Sequence, residues 1–225
     1  MSMPFDFKKE YKEFYMPPRS AQIVNLPRLS YIAVSGKGDP NSEKGEYQRA
    51  LSVLYAVAYT LKMSGKSGHK LDGFFDYVVP PLEGFWWQKD TDGMDYSRKR
   101  DFNWISVIRL PDFVSESDFD WAKSEAERKK KLDCSNAQML AVEEGLCVQI
   151  MHSGAYDDEP ASVAEMDRYI AENGYANDMT EPDTVSLLKN GTLGARLHHE
   201  IYLSDARKCA PDKLKTVIRH PIKKL

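Results

Sequence analysis

The chain repeats a five-residue signature, and this repeat constrains its fold more than any other feature. Residues 107–111 read Val-Ile-Arg-Leu-Pro, and residues 217–221 read Val-Ile-Arg-His-Pro, about half the chain later. A strand pattern, a turn with glycine, a helix pattern and a second strand precede each copy. Repeated units that each bury one face pack side by side, and the seam between them is a natural place for a ligand.

Hydrophobic periodicity predicts an α+β fold made of two strand-helix-strand-strand modules. The predicted strands cover residues 22–34, 74–79, 82–88, 102–110, 146–152, 196–204 and 215–221. The predicted helices cover residues 43–63, 115–131 and 160–173, and residues 136–144 are expected to continue as a helix or helical turn. The expected organisation is a surface arm (1–21), a first module (22–114), a helical connector (115–144) and a second module (145–225).

Composition limits the binding partners and the cell compartment that we expect for this chain. The chain has 225 residues, and its 31 lysines and arginines nearly balance 34 aspartates and glutamates. A chain without a basic field is not expected to bind nucleic acid tightly. Three cysteines without metal or redox spacing are typical of a reduced cytoplasmic protein. We find no signal-peptide pattern and no apolar stretch of the ~18–20 residues that a membrane span needs, so no membrane partner is expected.

The strand at 196–204 carries the first candidate site residues. Side chains alternate between the two faces of a strand, so His198, Glu200 and Tyr202 share one face. The residues between them share the other face, which we expect to pack under the helix of the second module. A carboxylate on the opposite, uncovered face is either wet surface or the floor of a pocket.

An aromatic strand in the first module favours the pocket. Phe85, Trp86 and Trp87 are consecutive, and large rings are costly to leave in water. If the modules abut, Glu200 faces an aromatic cavity, where it can neutralise a cation held by cation–π contacts or carry a proton. The alternative is that Trp86 and Trp87 only fill the core.

The turn after the strand 146–152 adds two further candidates. His152 ends this strand, and Tyr156 can reach over it into a groove or pack on the surface of its own loop. His152, His198 and Glu200 form at best a weak two-histidine, one-carboxylate set, while adjacent His198 and His199 diverge. Ser35-Gly-Lys-Gly38 is too short for a phosphate-binding loop. We therefore predict neither a metal nor a cofactor.

Several stretches together resemble the GyrI-like small-molecule-binding domain, which occurs alone and as the effector-binding part of some AraC- and MerR-type regulators. The matching stretches are Tyr47–Lys62, Leu82–Trp87, Trp104–Val114, Val148–Pro160 and His198–Pro221. The resemblance implies two modules related by a pseudo-twofold axis, with a ligand groove between their antiparallel sheets. It places Glu200 at the centre of the pocket and Trp86 or Trp87, Tyr156 and Tyr202 in its walls.

Three functions follow as hypotheses. The first is a stand-alone module that binds drug-like, amphipathic aromatic or cationic compounds, because a helix-turn-helix has no room in this chain. The second is a hydrolase of cyclopropane-bearing alkylating toxins, as the resemblance implies for some stand-alone members, with Glu200 as base or electrostatic stabiliser and Tyr156 as proton donor. The third is an inhibitor that acts by binding a protein partner.

Overall fold

A computed structural model describes residues 3–91, 93–180, 188–189 and 191–225. The α-helices are α1 (Phe7–Glu10), α2 (Lys12–Tyr15), α3 (Glu46–Lys62), α4 (Glu116–Lys130) and α5 (Glu159–Glu172). The strands are β1 (Gln22–Lys37), β2 (Leu82–Trp87), β3 (Asn103–Arg109), β4 (Gln138–Ser153), β5 (Tyr175–Asn177), β6 (Leu188–Lys189), β7 (Thr192–Leu193), β8 (His198–Tyr202) and β9 (Lys215–Lys224).

Six of these strands form a closed antiparallel barrel. Their order is β9-β8-β2-β3-β1-β4, and β4 pairs with β9 to close the sheet. Strand β5 pairs with the end of β9, while β7 runs parallel to β4 and pairs with β6. The predicted mixture of helices and antiparallel sheet is confirmed. The local sequence pattern did not reveal that the sheet closes on itself.

One hydrophobic core fills the interior of the barrel. All six barrel strands contribute to it, through Tyr31, Ala33, Phe85, Ile105, Val107, Leu140, Val142, Ile201 and Val217 among others. The N-terminal arm also belongs to this core, because Phe7, Phe14 and Tyr15 are buried in it. The expectation that the arm lies on the surface was therefore wrong.

The three longer helices cover the outer face of the barrel. Helix α3 buries its apolar stripe, from Tyr47 to Leu61, in a core shared with α4, and Ser115 and Asp118 form a capping box at the start of α4. Helix α5 packs Met166 and Ile170 onto β4 and β9. Within the described ranges, we find no helix with the length and apolarity to cross a membrane.

Two predicted elements were wrong. Residues 136–144 are not helical, because β4 begins at residue 138 and pairs with β1 along its length. Alanine, methionine, leucine and glutamate favour helices in isolation, but pairing with β1 overrides that weak preference. Residues 74–79 form no strand and contribute only a single bridge, between Phe5 and Tyr77.

Candidate functional site

A cavity of about 850 Å³ opens on the outer face of the barrel. Helix α3 forms one wall, strands β2 and β8 form the floor, and the turn Tyr156–Asp158 before α5 forms the opposite wall. The aromatic side chains in its lining come from both halves of the chain and include Tyr47, Trp86, Tyr96, Phe102, Tyr156 and Tyr202. Glu200 is the carboxylate among them, and Asp205 and Arg207 lie in the loop after β8.

The position of Glu200 corrects the assignment of faces to β8. Glu200 pairs across the sheet with Gly84 on one side and Ile218 on the other. Ile218 packs in the core under α5, so Glu200 points to the helix-bearing outer face. The sequence predicted that His199 and its face would pack under the helix, which was wrong. That face instead points into the closed barrel, where the sheet itself supplies the cover.

A missing side chain at Gly84 lets an indole and a phenol meet beside Glu200. The Trp86 indole Nε1 donates a 2.8 Å hydrogen bond to the Tyr202 hydroxyl. A Cβ at Gly84 would lie 2.6 Å from that nitrogen and 3.2 Å from the hydroxyl oxygen. Glycine is therefore required here for close approach rather than for backbone freedom.

Two buried histidines lie behind Glu200. His198 Nε2 is 2.9 Å from Glu200 Oε1, and His198 Nδ1 is 2.7 Å from His220 Nε2. Burial, followed by the neighbouring His198, lowers the pKa of His220 well below its usual value. A neutral His220 that donates from Nε2 leaves His198 to donate to the carboxylate, which orients Glu200 toward the cavity.

A second carboxyl group lies against this cluster, and the sequence did not predict it. Glu159, in the first turn of α5, is fully buried and accepts a 2.9 Å hydrogen bond from the Tyr96 hydroxyl. One ligand atom each from Glu159, His198 and Glu200 lies within 4.8 Å of the other two. Burial, followed by the charge of Glu200, raises the pKa of Glu159 well above its usual value. The raised pKa works against the ionised form that a metal ligand needs, and we assign no metal ligand here.

The phenols around Glu200 keep their protons at neutral pH. Burial, followed by the charge of Glu200, raises the pKa of Tyr156 to about 12 and the pKa values of Tyr47 and Tyr202 further. The Tyr156 ring stands edge-on to the Tyr202 ring, with 5.8 Å between their centroids. The pocket therefore offers aromatic walls, hydroxyl donors and a carboxylate.

The structure brings four of the predicted site residues to the wall of this cavity, namely Trp86, Tyr156, Glu200 and Tyr202. The others lie elsewhere.

Phe85 points into the barrel, where its ring stacks on His199 with 4.1 Å between centroids, and Trp87 packs against the same interior core. His152 lies 2.9 Å from the Ser162 hydroxyl and 3.0 Å from the Ala155 carbonyl oxygen, so it supports the turn that carries Tyr156. His198 contacts Glu200 from behind the wall.

Sequence reasoning also missed several aromatic wall residues, Tyr47, Tyr96 and Phe102 among them. Tyr47 lies in the helix predicted over residues 43–63, and its side chain is buried at the end of α3 that borders the cavity. Tyr96 begins a helical turn, Tyr96–Asp101, for which no element was predicted, and Phe102 follows this turn. The high aromatic content of residues 96–104 is the signal that could have identified this wall.

A concave, largely aromatic cavity with a few convergent polar groups is the usual form of a small-molecule site. Fold and cavity together define a small-molecule-binding domain. The family model of the GyrI-like small molecule binding domain matches residues 20–223, and the chain belongs to this family.

Solved structures share this fold. A hydrolase from Listeria innocua is 43% identical, with a TM-score of 0.83 over 97% of this chain and 100% of that one. An uncharacterized conserved protein from Listeria innocua is also 43% identical, with a TM-score of 0.85 over the same shares of the two chains. The EcmrR C-terminal domain, at 12% identity and a TM-score of 0.54 over 92% of this chain and 98% of that one, shares the fold. No curated protein sequence matches this chain.

Proposed function

We propose that the cavity binds planar, amphipathic aromatic molecules and that Glu200 favours those with a positive charge. The observation that carries this proposal is a carboxylate set among aromatic rings without a cationic partner. Among the contacts of the described residues, no lysine or arginine is ion-paired with Glu200, and its ion-pair contact is with His198.

Two of the cations near the cavity are already paired. Lys99 lies 2.5 Å from Asp157, and Arg207 lies 2.9 Å from Asp205. Neither of these two side chains competes with a ligand cation for Glu200, and the faces of Trp86 and the tyrosines add cation–π attraction.

A matched pair of probes tests this function. N-Methylacridinium is a planar cation, and N-methylacridone has nearly the same shape without the charge. We expect both to bind by isothermal titration calorimetry, the cation more tightly. Glu200→Gln should weaken the cation by about 1–3 kcal/mol, the range for a lost charge-assisted contact, and leave the neutral probe nearly unchanged.

Glu143→Gln is the control, because it removes the same charge from an exposed position on β4. The proposal fails if neither probe binds, or if Glu143→Gln weakens the cation as much as Glu200→Gln does.

A second candidate function, hydrolysis of a strained electrophile, has its own support. Two Listeria innocua structures described as hydrolases are 43% and 42% identical to this chain. The same cavity holds a carboxylate, Glu200, and a protonated phenol, Tyr156, in its lining. A base and a proton donor are the groups that water addition to a cyclopropane-bearing toxin requires.

These two groups account for the protons that the proposed reaction moves. Glu200 takes a proton from water while the water oxygen forms a bond to a cyclopropane carbon. The strained carbon–carbon bond breaks, and its electron pair moves into the conjugated carbonyl, which accepts a proton from the Tyr156 hydroxyl. Glu200 then returns its proton through solvent to Tyr156.

A cyclopropane-fused dienone carried on a planar aromatic system tests turnover, because ring opening abolishes the dienone absorbance. We expect Glu200→Gln to lower kcat by a factor on the order of 10²–10⁴ while KM changes little. If the wild-type protein binds this compound without consuming it, the hydrolase function is excluded and the binding function stands.

We also infer that the two halves of the barrel are copies related by a pseudo-twofold axis. The support is in the strand pairing: β1 pairs with β4, β2 pairs with β8, and β3 and β9 each join the two strands of their own half. An experimental structure whose halves 22–114 and 145–225 fail to superpose, element on element, would exclude the duplication.

A further inference from the structure

Glu159 is buried in a way that a charged carboxylate would not tolerate alone. Its side chain is 0% exposed, and its Oε2 accepts one hydrogen bond, from Tyr96. Its other oxygen, Oε1, has no hydrogen-bond donor among the described residues. Leaving a buried ionised oxygen without a donor is costly, whereas a proton on that oxygen removes the charge.

The groups that face Glu159 add to this cost. Glu200 and His198 each place a ligand atom within 4.8 Å, and Asp157 contributes further negative potential. No lysine or arginine is among the groups that mainly determine the pKa of Glu159, and His220, which lies behind His198, is neutral. Two carboxyl groups this close, without a fixed cation, share their ionisation so that one holds a proton.

The two carboxyl groups differ in what they can reach. Glu200 lines the cavity, while Glu159 lies behind it and contacts the protein interior. A cation bound against Glu200 would lower the cost of ionising Glu159, because it neutralises the charge that keeps the proton there. By linkage, ligand binding and proton release then favour each other.

We propose that Glu159 is the proton-holding partner of Glu200 and that a cationic ligand in the cavity expels this proton. The inference deepens the proposed function and rests on it. Glu159 acts through Glu200, so it is a positioning residue that makes the charge of the cavity respond to its occupant. The raised pKa of Glu159 agrees with this role.

Calorimetry in buffers of different ionisation enthalpy counts the protons exchanged on binding. With N-methylacridinium at neutral pH, we expect the wild-type protein to release a substantial fraction of one proton and Glu159→Gln, whose amide cannot ionise, to release none. N-Methylacridone should release none from either protein. The proposal is overturned if the cation binds without proton release, or if Glu159→Gln releases as many protons as the wild type.

Infrared spectroscopy of the ligand-free protein provides a test that needs no ligand, and its first measurement uses the wild-type protein alone. The wild-type protein at neutral pH should show the carbonyl stretch of a protonated, buried carboxylic acid, and this band should disappear at high pH. Glu159→Gln should lack the band, and Glu143→Gln should keep it. Absence of the band from the wild type overturns the proposal. Failure of both acridine probes to bind, with the band present, overturns the proposed function and leaves the protonated carboxyl established.

Discussion

Adjacent residues of β8 reach two buried clusters of glutamates and histidines that differ in how their charges are balanced. The interior cluster, inside the barrel, consists of Glu83, Glu144, His199 and Arg219. The pocket cluster, beside the cavity, consists of Glu159, His198, Glu200 and His220. Both pair glutamates with histidines, and only the interior cluster contains an arginine.

The arginine changes the ionisation of its neighbours. Burial alone would raise the pKa of Glu144, but the charges of His199 and Arg219 outweigh it and lower this pKa to about 2. Burial alone would lower the pKa of His199, but Glu144 and Glu83 outweigh it and raise this pKa. The charges of His199 and Arg219 thus keep Glu144 ionised inside the barrel, which suits a structural role.

The pocket cluster shows what the same residues do without a fixed cation. There burial prevails: the pKa of Glu159 rises and that of His220 falls, so both shifts favour the neutral form. A buried cluster whose carboxyl groups have no fixed cation beside them can bind a ligand cation or a proton. The difference teaches that burial of charged residues alone does not distinguish a binding site from a core, whereas the balance of charges does.

The largest effect should come from unbalancing the interior cluster. Arg219→Met removes its cation and leaves Glu144 buried without its 3.1 Å partner, so we expect a loss of about 3–5 kcal/mol in the free energy of unfolding, measured with urea. Arg207→Met, which removes an exposed arginine paired with Asp205, should change the free energy of unfolding far less, because water screens exposed ion pairs. Equal losses in the free energy of unfolding from Arg219→Met and Arg207→Met would contradict this expectation.

Filling the gap at Gly84 should damage the pocket side of the barrel. Gly84→Ala places a methyl group against the Trp86 indole, and overpacking of this kind costs about 1–3 kcal/mol in the free energy of unfolding. It should also weaken N-methylacridinium. Gly65→Ala, whose added methyl group meets open space, is the matched control. An unchanged affinity in Gly84→Ala would show that Trp86 does not contact the ligand.

The pH dependence of stability separates the two clusters. A folded-state pKa of Glu159 above the usual 4.5 means that the folded protein binds more protons, so this group destabilises the wild type as pH rises above about 4.5. As pH rises, the free energy of unfolding of Glu159→Gln should therefore increase relative to that of the wild type by up to ~1.4 kcal/mol per pH unit. This increase stops once the pH passes the folded-state pKa of Glu159. Parallel pH profiles from urea unfolding would contradict a protonated Glu159.

The smallest expected effect is at the hydrogen bond between Trp86 and Tyr202. Tyr202→Phe leaves the buried indole nitrogen without its 2.8 Å acceptor, which should cost about 0.5–1.5 kcal/mol in the free energy of unfolding. The emission of Trp86 should shift with its changed surroundings. A variant as stable as the wild type, with unchanged fluorescence, would show that the indole has another partner.

Much of the candidate site could be predicted from local sequence patterns. Alternation along residues 196–204 correctly grouped His198, Glu200 and Tyr202 on one face, and the aromatic strand identified Trp86. Both statements depend on near neighbours in sequence, and strand geometry alone settles them.

The rest of the candidate site could not be predicted locally, because it depends on the closure of the barrel. Closure is a long-range property, because β9 returns to pair with β4, and it turns the face of His199 into an interior. Glu144 occurs in a segment with helical composition, so its burial beside Arg219 was invisible. Glu159 follows two aspartates and precedes a proline, a pattern that normally marks an exposed first helical turn.

The alternation along β8 also restricts how the gene for this protein can change. A one-residue insertion in β8 that shifted its register would send Glu200 into the barrel, beside Glu83 and Glu144, and carry His199 out to the cavity. One event would place three carboxylates around Arg219 and empty the ligand site. Length variation among functional relatives should therefore avoid this strand and fall in the loop that follows it, between Leu203 and Leu214.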